Sequence, residues 1–274
     1  MNKIPSVNLS YFLSTDANKK QEFVDKIGHA YENIGFVALK GDFLDDQLIE
    51  DLYTEIKNFF DLPNATKEKY EIPGIGGQRG YVSFGKESAK GKKEGDLKEF
   101  WHFGQYVDAD SVYAKEYPNN VTVEELKKFN EVGKQTYKML EKTAKYVLRS
   151  LALHLHLEET YFDHFIINGN SILRPIHYPP IQTEPKGAER AAAHGDINLI
   201  TLLMGAQGKG LQVQNHNGDW IDAMAAPDEL MINVGDMLSR HSNNKLKSTI
   251  HRVTNPPKEM WGTSRYSIPF FMHP

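Results

Sequence analysis

The chain has 274 residues, with 32 Lys plus Arg against 36 Asp plus Glu, a formal net charge of -4 and no cysteine. The missing cysteines exclude a disulfide framework, a thiolate metal site, an iron–sulfur cluster and a cysteine nucleophile, so any metal must be held by His, Asp or Glu. The mild acidity is spread along the chain, which argues against nucleic acid or an anionic membrane as partner, and no run approaches the ~20 apolar residues of a membrane span. The N-terminal MNKIPSVNLSYFLSTDANKK lacks the apolar core of a signal peptide, and the chain reads as cytoplasmic.

Phe23, Ile27, Ala30, Tyr31 and Ile34 recur at helical spacing until Gly35, and Phe36 to Leu39 then form a short apolar run suited to a strand. A second helix carries Leu48, Leu52, Ile56, Phe59 and Phe60 on one face and stops at Asp61-Leu62-Pro63. From Gly74 to Gly95 the chain is rich in Gly and Lys and too poor in apolar residues to pack, so a surface loop is expected. A long helical pattern follows from about Thr122 to His156, with a break expected near Gly133.

Beyond it the character changes. Short β-rich segments succeed one another at Ser171–Tyr178, Ile197–Met204, Gly210–Gln214, Trp220–Asp222, Glu229–Val234, Ser248–Val253 and Arg265–Phe271. Turn residues separate them, including the hairpin signal Asn217-Gly218. Helices first and closely spaced strands afterwards imply an α+β protein, a β-sandwich or jelly roll packed on N-terminal helices.

Eleven histidines offer several metal-like clusters. In His154, His156 and Glu158 only the first and last share a helix face, and histidines at a helix C-terminus are commonly structural. In AAAHGDINLITLL, His194 and Asp196 are two apart, and on an extended strand both can reach one ion. His251, in STIHRV, reads as another strand residue. Two His and one carboxylate on strands would make the facial triad of non-haem Fe(II) oxygenases. The alternative is that His194 caps a turn and His251 is a core residue. Arg265 and Ser267, two apart on a strand, present a guanidinium fork and a hydroxyl to one side, a suitable grip for a carboxylate.

The stretches LRPIHYPP, HGDINLITLLM, GLQVQNHNGDWIDAMAAPDELMINVGDML, KSTIHRV and RYSIPFF, in this order, resemble the isopenicillin N synthase-like group of Fe(II)/2-oxoglutarate dioxygenases. IGFVALKGDFLDD, NFFDLPNATKEKY and GQRGYVSF resemble that family's helical N-terminal segment. The resemblance spans nearly the whole chain. It implies a double-stranded β-helix core with N-terminal helices packed against it. Residues 1–120 would form the helical N-terminal region with short strands, and 121–274 the long helix plus the jelly-roll core, in one integrated catalytic domain.

It also implies iron on His194, Asp196 and His251. The distal carboxylate of 2-oxoglutarate would fall to Arg265 and Ser267, with Tyr178 reaching it too. Arg174 shares the strand face of Tyr178, so it points inward or forms a structural ion pair. Ile176 stands where plant members carry Asn. Phe271, Trp101, Glu99 and Tyr81 are further candidates for the substrate pocket. The chain ends seven residues after Ser267, where family members usually continue into a C-terminal helix, so either a lid falls to another segment such as Lys86–Lys93, with Tyr81 entering the pocket, or the sequence is a truncated one.

The implied activity consumes 2-oxoglutarate and O2, with ascorbate as an accessory reductant, oxidises a small molecule and releases succinate and CO2. Two rivals remain at this point. Relatives of isopenicillin N synthase or aminocyclopropane-carboxylate oxidase keep the Arg-x-Ser pair yet use no 2-oxoglutarate. A non-catalytic jelly roll that only binds a ligand is the other.

Overall fold

The computed structural model describes residues 3–87, 95–108, 110–185, 187–205, 210–215 and 217–274. In chain order the strands of the first half are β1 Ser6–Asn8, β2 Phe36–Lys40, β3 Gly80–Val82 and β4 Glu99–Gly104. Those of the second half are β5 Ile172–Leu173, β6 Ile176–Tyr178, β7 Ala191–His194, β8 Ile200–Met204, β9 Leu211–Gln214, β10 Trp220–Asp222, β11 Glu229–Val234, β12 His251–Val253 and β13 Arg265–Met272. One sheet runs β1-β2-β11-β8-β13-β5-β4-β3, with β6 pairing β13 and β4, and the other runs β10-β9-β12-β7. Together they are the two faces of the expected jelly roll.

Strand β2 shows why the large sheet reads as a continuous apolar run. Its Val37 and Leu39 pack in the cluster shared with the helices, whereas Phe36 and Ala38 pack between the sheets with Ala191, Leu211, Val213, Met231 and Val253. A strand buried on both faces cannot alternate with polar residues. The helical layer is built from Ala17–Asn33, Asp46–Phe60 and Lys127–His154. Asp16 caps the first through the amide of Asn18 at 2.9 Å, and Asp45 caps the second through Leu48 at 2.8 Å.

Two expectations are corrected here. The helix Lys127–His154 runs through Gly133 without a break. The glycine is there for packing, since a Cβ would sit 2.3 Å from Cζ of Phe103. Second, the Gly74–Gly95 stretch contains β3, paired with β4 so that Tyr81 opposes Trp101 and is buried. Gly80 permits this because its φ of +75° and close approach to the Tyr70 carbonyl leave no room for a side chain. Lys86 pairs with Glu71, and Lys90, Lys92 and Lys93 lie outside the described residues. The Asn217-Gly218 signal falls where expected, joining β9 to β10 with Gly218 at φ +86°. No helix among the described residues is long and apolar enough to cross a membrane.

Candidate active site

His194 ends β7 and His251 begins β12, directly opposite in register, and their ring centroids are 4.4 Å apart. Between this pair and the next, Val253 opposite Ala191, β12 advances two residues and β7 three. The extra residue is a bulge. It turns both Ala191 and His194 toward the same cavity, which strict alternation would forbid.

Asp196 lies past the end of β7 rather than on it, and its backbone carbonyl accepts from the amide of Asp236 at 2.7 Å. Its Oδ2 accepts from Thr201 Oγ1 at 2.6 Å and Asn233 Nδ2 at 2.8 Å. That leaves Oδ1 facing Nε2 of His194 at 4.0 Å and Nε2 of His251 at 3.8 Å. One donor atom from each of the three residues can be chosen so that all lie within 4.8 Å of one another, and no other group of three such residues is found among the described residues.

The donor set fits a divalent ion. Nδ1 of His194 meets the Ala192 carbonyl at 2.7 Å and Nδ1 of His251 the Thr249 carbonyl at 3.1 Å. A carbonyl only accepts, so each Nδ1 carries a proton and each Nε2 is the nitrogen turned toward the site, the one that would meet an ion. Burial pushes the His194 pKa down, reinforced by the neighbouring His251. Burial alone would raise Asp196, but His251 and the bonds from Asn233 and Thr201 hold its carboxyl below the ordinary value. The triad thus offers two imidazole nitrogens and one carboxylate oxygen close together, the donor set of a 2-His-1-carboxylate iron site.

The same inner cavity, about 80 Å³, is lined by Tyr178 and Ser267 as well as the triad. Tyr178 opposes Arg265 across β6 and β13, and Ile176 opposes Ser267. The Arg265 guanidinium carbon sits 5.8 Å from the Tyr178 ring centroid, and its Nη1 is buried with no hydrogen-bond partner. A buried unpaired cationic nitrogen is costly, and an anion is what would relieve it. Ile176 adds an apolar contact to this cavity.

Outward lies a wider cleft of about 440 Å³, sharing Arg174, Lys98, Phe271, His194 and Asp196 with the inner cavity. Both alternatives for Arg174 hold at once. It lines the cleft, and its Nη1 lies 3.4 Å from both carboxylate oxygens of Glu87. Nε of Arg174 donates to His102 Nε2, and the guanidinium covers the rings of Phe100 and Phe271 at 4.5 and 5.1 Å. Burial, then Arg174, holds His102 well below its ordinary pKa, so it is the neutral acceptor this contact needs.

Three substrate candidates are corrected. Trp101 is fully buried against Phe59 and Phe129, on the helical side of the large sheet. Tyr81 packs in the same cluster and donates its hydroxyl to Glu99, so it does not enter the cavity. Glu99 is buried in a knot with Lys67 at 2.8 Å and His177 at 2.7 Å. None of the three lines the inner cavity or the cleft. His154 pairs with Glu32 at 2.9 Å and Glu158 lies past the helix end, so that cluster stays structural. Residues the sequence reading passed over are Thr201, Asn233, Lys98 and His102. A polar Asn inside the apolar LMINV was the one local signal.

A jelly roll with a His/Asp/His cluster and, beside Tyr178 of its cavity, an arginine whose buried Nη1 has no partner is the architecture of a non-haem iron oxygenase. Residues 4–125 match the family described as non-haem dioxygenase in morphine synthesis N-terminal, and 169–274 match the 2OG-Fe(II) oxygenase superfamily. A 2-oxoglutarate-Fe(II) type oxidoreductase of Aspergillus fumigatus is 32% identical over 97% of this chain and 81% of its own length. A 2OG-Fe(II) oxygenase family protein from Caulobacter crescentus superposes with TM-score 0.90 at 41% identity, covering 100% of this chain and 87% of that one. A full-length Neurospora crassa protein solved in complex with alpha-KG and thymine gives TM-score 0.85 at 31% identity, covering 99% and 86%. The chain belongs to the 2OG-Fe(II) oxygenase superfamily. It is an Fe(II)- and 2-oxoglutarate-dependent oxygenase that oxidises a small molecule with O2.

Proposed function

We propose that His194, Asp196 and His251 hold the iron, and that Arg265, Ser267 and Tyr178 take the distal carboxylate of 2-oxoglutarate. The observation that carries this is the donor set, with both Nδ1 atoms occupied by backbone carbonyls and Asp196 Oδ2 occupied by Thr201 and Asn233. Only the three remaining donor atoms are free to meet an ion. When bound, the iron would let O2 act as the oxidant, with two electrons drawn from 2-oxoglutarate, which leaves as succinate and CO2, and two from the substrate.

The protein's own groups bind, orient and exclude water. Phe36, Leu203, Leu211 and Val253 give the inner cavity an apolar wall, which strengthens the charge pairing of a bound carboxylate. Arg174 and Phe271 stand at the cleft as the contacts for the primary substrate, a fixed guanidinium for an oxygen acceptor beside an aromatic face. We take residues 1–120 and 121–274 as one integrated catalytic unit, because β2 is hydrogen-bonded to β11 and β4 to β5 and β6. A cytoplasmic setting is part of this reading, on the support of the cysteine-free, mildly acidic composition.

The test is succinate release from 2-oxoglutarate with Fe(II) and ascorbate, with thymine first among trial substrates because a relative is solved with it. His251→Ala should lose both iron and turnover while circular dichroism stays unchanged. Full iron stoichiometry and succinate release in that variant would overturn the assignment. Substrate oxidation by the wild type without 2-oxoglutarate would move it to the oxidase class.

A further inference from the structure

Arg190 immediately precedes β7 and is 5% exposed. Its Nη2 donates to the Thr263 carbonyl at 3.3 Å, its Nε is buried without a partner, and among the described residues no carboxylate pairs with it. Its guanidinium carbon lies 5.7 Å from the Tyr178 ring centroid, and that of Arg265 lies 5.8 Å from the same ring. Two guanidinium groups therefore share one aromatic ring, each with a buried nitrogen that has no acceptor. Burial, and then repulsion from Arg265, lowers the Arg190 pKa.

Keeping two such cations together without an anion works against folding. The ring alone does not settle the charge, since a cation–π contact leaves the guanidinium N–H groups unsatisfied. Tyr178 and Ser267 line the adjoining cavity, and among the described residues their hydroxyls donate to no protein group. The unsatisfied donors on these four side chains suit a carboxylate, which can accept several hydrogen bonds on its two oxygens.

We propose that Arg190 is a second guanidinium for the distal carboxylate of 2-oxoglutarate, beside the same Tyr178 ring as Arg265. This rests on the reading of Arg265 as the co-substrate anchor. The rival is a purely structural arginine that covers Tyr178 and ties down the Thr263 carbonyl.

The test is oxygen-free calorimetric titration of the full chain loaded with Mn(II), using 2-oxoglutarate and 2-oxopentanoate, which has the same chain length and no distal carboxylate. Arg190→Met should weaken 2-oxoglutarate at least about tenfold, as for loss of a hydrogen bond to a charged group, and leave 2-oxopentanoate within about twofold. Arg190→Lys should recover part of the loss. Equal weakening of both ligands, or none for 2-oxoglutarate, overturns the proposal. Arg265→Met run in parallel separates it from its premise. If Arg265→Met loses the preference and Arg190→Met keeps it, only the Arg190 assignment falls. If neither loses it, the carboxylate sits elsewhere and the reading of Arg265 falls too. Should Arg190→Met not fold, Arg190→Gln, which retains a donor for Thr263, carries the same comparison.

Discussion

Thr201 on β8 and Asn233 on β11 face each other in register, and both donate to one oxygen, Oδ2 of Asp196. Two neighbouring strands thereby aim a carboxylate that is itself on neither of them. With Oδ2 doubly occupied, Oδ1 is the atom left for the histidines. Asn233→Leu should therefore weaken metal binding by about 10–100-fold, as loss of an outer partner of a ligand does, with little change in secondary structure. Titration with Co(II) followed by its visible spectrum measures this. An unchanged affinity would mean that Asp196 needs no outside orientation. Thr201→Val on top of Asn233→Leu should cost less than on its own, because both act on the same atom.

The Glu99 knot makes an opposite prediction, a large effect on stability and none on the site. Burial alone would raise the Glu99 pKa, but hydrogen bonds from His177, Lys67 and Tyr81 hold it below the ordinary 4.5. A carboxyl lowered in the folded state contributes stability that is present above its unfolded pKa and lost as pH falls through the folded one. Glu99→Gln leaves Lys67, nearly fully buried, without its anion, which costs roughly 3–5 kcal/mol at neutral pH. The gap between wild type and variant in urea unfolding should narrow below about pH 4.5. Calorimetric 2-oxoglutarate affinity should not move. A variant of full stability with weakened 2-oxoglutarate would return Glu99 to the pocket.

What the sequence discloses and conceals follows one physical division. The strands from β8 to β13 are legible because they are short β-rich runs separated by turn residues such as Asn217-Gly218. His194, Asp196 and His251 are legible because ligand chemistry restricts the residue types. The bulge in β7 is not, since it exists only as a mismatch of three residues against two on a partner about 60 positions away. Strand β4 conceals itself because its Glu99 and His102 are buried polar residues satisfied by Lys67, His177 and Arg174, far along the chain. Phe271 and Trp101 are equally aromatic, and only the layer packed against each decides that one lines the cavity and the other the helical core.

Gly133 sits inside the helix Lys127–His154 and inverts a familiar rule. In an exposed helix interior Gly→Ala gains up to about 1 kcal/mol through the unfolded chain and the helical propensity. Here the added methyl would meet the Phe103 ring at 2.3 to 2.7 Å. That ring cannot swing away, being 1% exposed and held between Phe129 at 5.1 Å and Trp101 at 5.8 Å. The overlap has to be relieved by moving the helix from the sheet or by forcing Phe103 off its rotamer, each costing about 1–3 kcal/mol. Gly133→Ala should therefore lower the unfolding midpoint. Phe103→Leu in the same chain should restore part of the loss by removing the ring edge the methyl strikes. If Gly133→Ala alone raises the midpoint, the contact is soft and the glycine there serves no packing purpose.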